Sequence, residues 1–527
     1  MKRIRRPMFA RLSLSLCGFA IGALCAALVA AAEPQNGVLD LTLRSRAPLD
    51  RNGGDQFRVA FTPTRWRSDQ TAIIICDMWD KHWCPAATAR VGELAPRIDQ
   101  FVAACRARGV LVVHAPSECM EFYADHPARK RAQATAKVAR LPEGIDSWCT
   151  SIPAEEKGKY PIDQSDGGCD SENPPKSFKA WSRQIAAIGI DESRDYISAS
   201  GSEIWSIMED RGIENVMLCG VHTNMCVLGR PFGLRNMSRF GKNTVLVRDL
   251  TDTMYNPKAW PYVNHFRGTH LIVEHIEKYV ARTITSDQVL GDAPFRFQND
   301  VRPRIVIAIS EPEYKTDKTL PIFAAEVLET KLGYDCAVLQ GDPQKHHLPG
   351  LSEALKDADL LLISIRRQAL PAAHLAAVRR HLAAGKPLIG IRTASHAFDS
   401  RGKGPDGTEQ WPKFDPEVLG GNYTGHFGNT DAPTISLADG ASAHPILQDV
   451  TLPFTSAGSL YKTRPLTKTA TPLLMGKIAK AEPEPVAWTN TFGKSRIFYT
   501  SLGHEDDFKD ASFVRLLANA VEWCQAK

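Results

Sequence analysis

TAIIICDMWDKHW (residues 71–83) and ENVMLCGVHTNMCVLGR (residues 214–230) decide the fold. Each opens on an unbroken apolar run of strand length and passes directly into a polar turn. A strand with one wet face alternates apolar and polar residues. A continuous apolar run is covered on both faces, as in a parallel sheet between two layers of helix. VGELAPRIDQFVAACRARG (91–109) supplies an amphipathic helix after the first strand, and VLVVHAP (110–116) and NTVLVRD (243–249) are further buried strands. The pattern predicts an α/β domain. Between residues 117 and 190 it breaks into Pro, Gly, Asp and Lys, including DQSDGGCD (163–170). A connection that long is expected to be a functional insertion.

The alternation restarts with RIVIAIS (304–310), ADLLLIS (358–364), KPLIGIR (386–392) and SRIFYTS (495–501). AAHLAAVRRHLAAG (372–385) is a helix closed by Gly385. The expected organisation is a segment 1–32, a first domain 45–290, a linker 291–303 and a second domain 304–527. Each domain is α/β, an open, mostly parallel sheet with helices on both faces. Ligands of such sheets sit beyond the carboxyl ends of the strands.

Lys2, Arg3, Arg5, Arg6 and Arg11 precede an apolar run from Leu12 to Val29 that ends in Ala30-Ala31-Ala32. That order predicts a cleaved secretory signal, and hence a periplasmic or secreted protein. The chain carries a net charge of +5; without this segment, basic and acidic residues balance at 59 each. No basic block remains for a phosphate backbone, so nucleic acid is not an expected partner. Ten cysteines remain in an oxidising compartment, where pairs such as Cys149 with Cys169 are candidates for bridging.

Asp77 ends the first strand, and Cys226 follows the strand that ends at Val221 in a tight turn opening a helix. Singly, a buried Cys is a small apolar filler and a strand-end Asp is a helix cap. Together, at the ends of two parallel strands, they form a candidate nucleophile and base. A helix N-terminus favours the thiolate, a carboxylate can take and return its proton, and the turn's amides can face an oxyanion. Asp80, His82, His114, Asp125 and His126 do not form a metal-site pattern, so neither metal nor cofactor is expected. Trp79, Trp83 and Tyr123 are candidate pocket walls, and RDLTDTMYNPKAWPY (248–262) is a candidate mouth.

IIICDMWD and NVMLCGVHTNMCV resemble the isochorismatase-like cysteine hydrolases. The resemblance implies an Asp, Lys and Cys triad, a cis peptide at Val221–His222, and an oxyanion hole from the amides of His222 and Cys226. The family's lysine falls at Ser193, and no lysine lies between Lys179 and Lys242. Arg194 is one substitute, as a charge donor that relays no proton. Lys179 from the insertion is another, and a broken triad is a third reading.

In the second domain, KPLIGIR runs into TASHAF where class I glutamine amidotransferases place a nucleophilic Cys; here Arg392 stands there. GGNYTGHFG (420–428), HPIL (444–447), SLYK (459–462) and PVAWTNTFGKSRIFYTSLGH (485–504) resemble the ThuA-like (trehalose utilisation) domain. This resemblance implies a link to carbohydrate, with His396, His426, Tyr461 and His504 as pocket candidates. The expected function is an exported cysteine hydrolase cleaving a C–N bond of a small amide, ureido or imide substrate. The alternative is a non-catalytic carbohydrate- or peptide-binding protein. Expected partners are the small-molecule substrate, a carbohydrate at the second domain and a second copy of the chain.

Overall fold

A computed structural model describes residues 37–48, 57–428 and 431–526. The signal-like segment lies outside the described residues. The first sheet has eight strands: β1 (Val38–Pro48), β2 (Phe57–Arg67), β3 (Thr71–Cys76), β4 (Leu111–Ala115), β5 (Tyr196–Ile197), β6 (Asn215–Val221), β7 (Asn243–Asp252) and β8 (Arg282–Ile284). Their order is β2-β1-β8-β7-β6-β3-β4-β5. From β8 to β5 every pairing is parallel. Every residue of β3, β4 and β6 is buried, as their unbroken apolar runs require.

The antiparallel hairpin β1–β2 extends this sheet and begins at Val38, ahead of the expected boundary at residue 45. Its alternating burial reflects one covered face. It also ties the two halves of the chain together. Arg44 donates from Nε to Glu277 (2.6 Å) and from Nη1 to Glu329 (2.9 Å). Glu326 accepts from the Val59 amide at 2.9 Å.

The second sheet has nine strands. Its parallel part runs β10 (Asp335–Gln340), β9 (Arg304–Ser310), β11 (Leu360–Ile365), then Leu388–Ile391 and Ser495–Thr500. Beyond Ser495–Thr500 the pairings turn antiparallel, through Glu484–Phe492, Thr471–Lys477, Thr434–Leu437 and Phe454–Thr455. Both domains are α/β, with apolar clusters on either side of each sheet.

The insertion folds over the carboxyl edge of the first sheet, and a disulfide and a buried ion cluster are among its anchors. Cys84 forms a disulfide with Cys169. Cys149, the partner suggested by sequence, is instead a free thiol donating to the Ser151 carbonyl at 3.4 Å. Buried Glu155 accepts from Arg235 through both oxygens at 2.7 Å and pairs with His275 at 2.9 Å. Among the described residues no helix is long and apolar enough to cross a membrane.

Candidate active site

Parallel pairing of β3 with β6 brings the ends of both strands to one edge, with Cys76 opposite Gly220. Asp77 follows immediately, fully buried, with φ of 45°. That left-handed backbone turns its carboxylate off the strand axis and into the edge. Its Oδ1 accepts from the Ser117 amide at 2.7 Å and its Oδ2 from Arg230 Nε at 2.9 Å. The Cys226 thiol lies beside the same carboxylate, close enough for each group to shift the other's pKa.

The Val221–His222 peptide is cis, and Thr223–Val227 forms one wide helical turn carrying Cys226. The His222 backbone amide faces the sulfur. Asn224 fastens this turn from below: its Nδ2 donates to the Met254 carbonyl and its Oδ1 accepts from the Met254 amide, both at 3.0 Å. Met254, within the run expected at the mouth, thus braces the turn that carries Cys226.

Burial pushes the Cys226 thiol upward, the Asp77 carboxylate adds to that, and Arg230 opposes it. Burial likewise raises Asp77, with Arg230 and the Ser117 amide pulling down. At rest the thiol is therefore protonated, with Asp77 beside it. Arg230 is the cation that both groups feel. Its Nη2 also reaches Glu118 at 3.1 Å, and its guanidinium lies 5.6 Å from the Trp148 ring centroid.

Neither cation considered from sequence occupies this place. Arg194 is bound to Asp191 at 2.7 Å with its side chain half exposed, because the two share one short surface turn. Lys179 does fold back with the insertion, but its Nζ donates to the Glu118 carbonyl at 2.7 Å. Arg230 was missed although it stands four residues after Cys226. That spacing is one helical turn, which puts the two side chains on the same face.

Trp79 and Trp181 stack with ring centroids 4.1 Å apart, and His82 continues the stack 5.8 Å from Trp181. His82 also meets His222 at 4.8 Å. Burial lowers both imidazoles, His82 to about 4 and His222 to about 3, so this wall is neutral. The other polar candidates have structural roles. His114 bonds Gln184 and Asp195, His126 caps a helix, Asp125 pairs with Lys130, and Asp80 accepts from Ser182. Tyr123 is buried and accepts from the Gln184 amide, holding the insertion rather than walling the site.

The four candidates of the second domain also converge. Tyr461 is buried with His396 and His426 at 6.4 and 6.3 Å, and its hydroxyl donates to Tyr314 Oη at 3.4 Å. Tyr314 in turn meets His504 at 6.2 Å. Arg392, at the turn after Leu388–Ile391, has φ of 50° and lies between the Tyr314 and Tyr461 rings, 4.3 and 4.4 Å from their centroids.

Residues 342–524 match the family model for ThuA, described as trehalose utilisation. The second half of the chain carries a ThuA domain. A ThuA-like protein of Bacteroides uniformis is among the similar solved structures, at 17% identity and TM-score 0.35, covering 44% of this chain and 96% of its own. Others match the part that precedes the ThuA domain. A cysteine hydrolase of Pseudomonas syringae is 16% identical, with TM-score 0.26, 43% of this chain and 92% of its own. An isochorismatase family protein of Burkholderia thailandensis is 15% identical, with TM-score 0.25, 42% and 93%. No curated protein matches by sequence.

Proposed function

We propose that the first domain is an isochorismatase-like cysteine hydrolase acting on a C–N bond of a small amide, ureide or imide. The observation that carries this reading is Asp77 bonded to Arg230 at the same sheet edge as the Cys226 thiol, which both groups influence. Asp77 takes the thiol proton as sulfur adds to the substrate's trigonal carbon. The amides of His222 and Cys226 stabilise the oxyanion. Asp77 then returns the proton to the leaving nitrogen, the C–N bond breaks, and a thioester-type intermediate remains. Water adds to that intermediate with Asp77 as base, expelling the thiolate, which regains its proton. Arg230 relays no proton; it offsets the negative charge that the thiolate and carboxylate share.

The chain is further proposed to be exported, with its mature end near Glu33, and its ThuA domain to bind a carbohydrate. The signal-like segment and the Cys84–Cys169 bridge support export. The family match and the histidine and tyrosine cluster support the carbohydrate.

The test is a screen of small amides, ureides and imides with the wild type and Cys226→Ala. A substrate turned over by the wild type should lose at least about 1000-fold in rate in the variant. A fully active alanine variant would sink the covalent mechanism. The binding-protein alternative has one observation in its favour, the protonated resting thiol. It predicts ligand binding without turnover in both proteins.

A further inference from the structure

Tyr314, Arg366, Arg392 and His504 follow four different parallel strands, β9, β11, Leu388–Ile391 and Ser495–Thr500. All four stand at the carboxyl edge of the second sheet, where open α/β sheets bind ligands. Over this edge lies the short ribbon Gly425–His426 with Tyr461–Lys462, and Tyr423 just before it. Tyr423 stacks on His396 with centroids 4.5 Å apart and meets Tyr461 at 4.7 Å. The edge is therefore an aromatic platform, partly open at Tyr423 and Tyr314.

The charges of Arg366, Arg367, Arg392 and Arg401 all bear on His396, and after burial they hold its imidazole neutral, down at about 3. Carboxylates face this group too, and Asp415 Oδ2 accepts from the Tyr423 amide at 2.6 Å. Glu313 pairs with Arg366 at 2.6 Å, and Asp399 with Arg367 at 2.7 Å. Asp507, nearer Arg392, is bonded by Ser456 Oγ and by the amides of Ala457, Gly503 and His504. Arg401 is exposed, and its charge reaches Arg367, His396 and Tyr423. Arg392 is 1% exposed, and its Nε has no hydrogen-bond partner. Arg366 and Arg367 are ion-paired, whereas Arg392 and Arg401 form no ion pair among the described residues, and these two charges leave a positive potential for an anion.

We infer that the ThuA domain's ligand is an acidic saccharide, a sugar ring carrying a carboxylate, seated on Tyr423 and His396 with its charge toward Arg401 and Arg367. This rests on the carbohydrate reading above and narrows it. Arginine suits the carboxylate because its planar fork donates in pairs. The tyrosine hydroxyls and the neutral His396 suit ring hydroxyls, and the aromatic faces suit the ring's C–H edge.

The test is calorimetric titration of the full mature chain with D-glucuronate, D-glucose and inorganic phosphate. Glucuronate should bind at least about tenfold more tightly than glucose or phosphate. Arg401→Ala should lose about tenfold for glucuronate and leave glucose unchanged, and Arg401→Lys should recover part of that loss. Arg401 is exposed, so these variants should fold, and unchanged thermal melting would confirm it. Equal affinity for glucose and glucuronate would overturn the acidic ligand while leaving the carbohydrate reading standing. Phosphate binding as tightly as glucuronate would reduce the site to a general anion site. No binding of either sugar would overturn both readings.

Discussion

Arg230 and Asp77 meet at 2.9 Å across the first domain's carboxyl edge, with the carboxylate fully buried and the guanidinium mostly so. They arrive from different strands, Asp77 at the end of β3 and Arg230 one helical turn after Cys226 beyond β6. In the proposed site Arg230 would supply the positive charge for which the family's lysine position offers only Ser193.

Arg230→Ala should depress turnover at neutral pH. Arg230 pulls down both Asp77 and Cys226, so its removal raises both. The base must be ionised to work, so the acid limb of the pH–rate profile should move to higher pH. Losing a charge partner in a desolvated site costs about 2–4 kcal/mol, or roughly 30- to 1000-fold in rate. Arg230→Lys should restore part of this. A profile unchanged in Arg230→Ala would remove Arg230 from the site.

Asp77→Asn should separate thiol reactivity from catalysis. The carboxylate raises the thiol, so neutralising it should lower the Cys226 pKa and speed iodoacetamide labelling near pH 7. Hydrolysis should nonetheless be lost, because asparagine accepts no proton. Wild-type Cys226 should label slowly and faster as pH rises. Labelling no faster in Asp77→Asn would contradict that influence.

Glu277 predicts an acid transition. It accepts from Arg44, Arg46 and Thr283. Burial alone would raise it, but the arginines win and hold it at about 2 against an ordinary 4.5. A depressed carboxylate stabilises fully above 4.5 and loses that contribution as pH falls towards 2. The contribution is about 3 kcal/mol. Urea unfolding should show stability falling across that window, and Glu277→Gln should flatten the slope there. The variant should also cost about 3–5 kcal/mol at neutral pH by leaving two buried arginines underpaired. An unchanged pH slope would contradict this role.

The unbroken apolar runs of residues 72–76 and 216–221 by themselves determined two buried strands, and the polar turns after them placed Asp77 and Cys226 at strand ends. Period and length suffice there, because a residue's burial in a strand follows from its neighbours along the chain. KPLIGIR likewise placed Arg392 on its turn. The cation was not legible in this way. Arg194 was nearest by gapless counting, yet a short surface turn gives it to Asp191. Arg230 becomes the partner only when parallel pairing of β3 and β6 sets Asp77 beside its helix. The Cys84–Cys169 bridge, the fold-back of the insertion and the Arg44 contacts between domains also depend on long-range contacts. Local sequence carries the period of an element, whereas the choice of partner for a long charged side chain is made by whichever opposite charge the assembled sheet desolvates beside it.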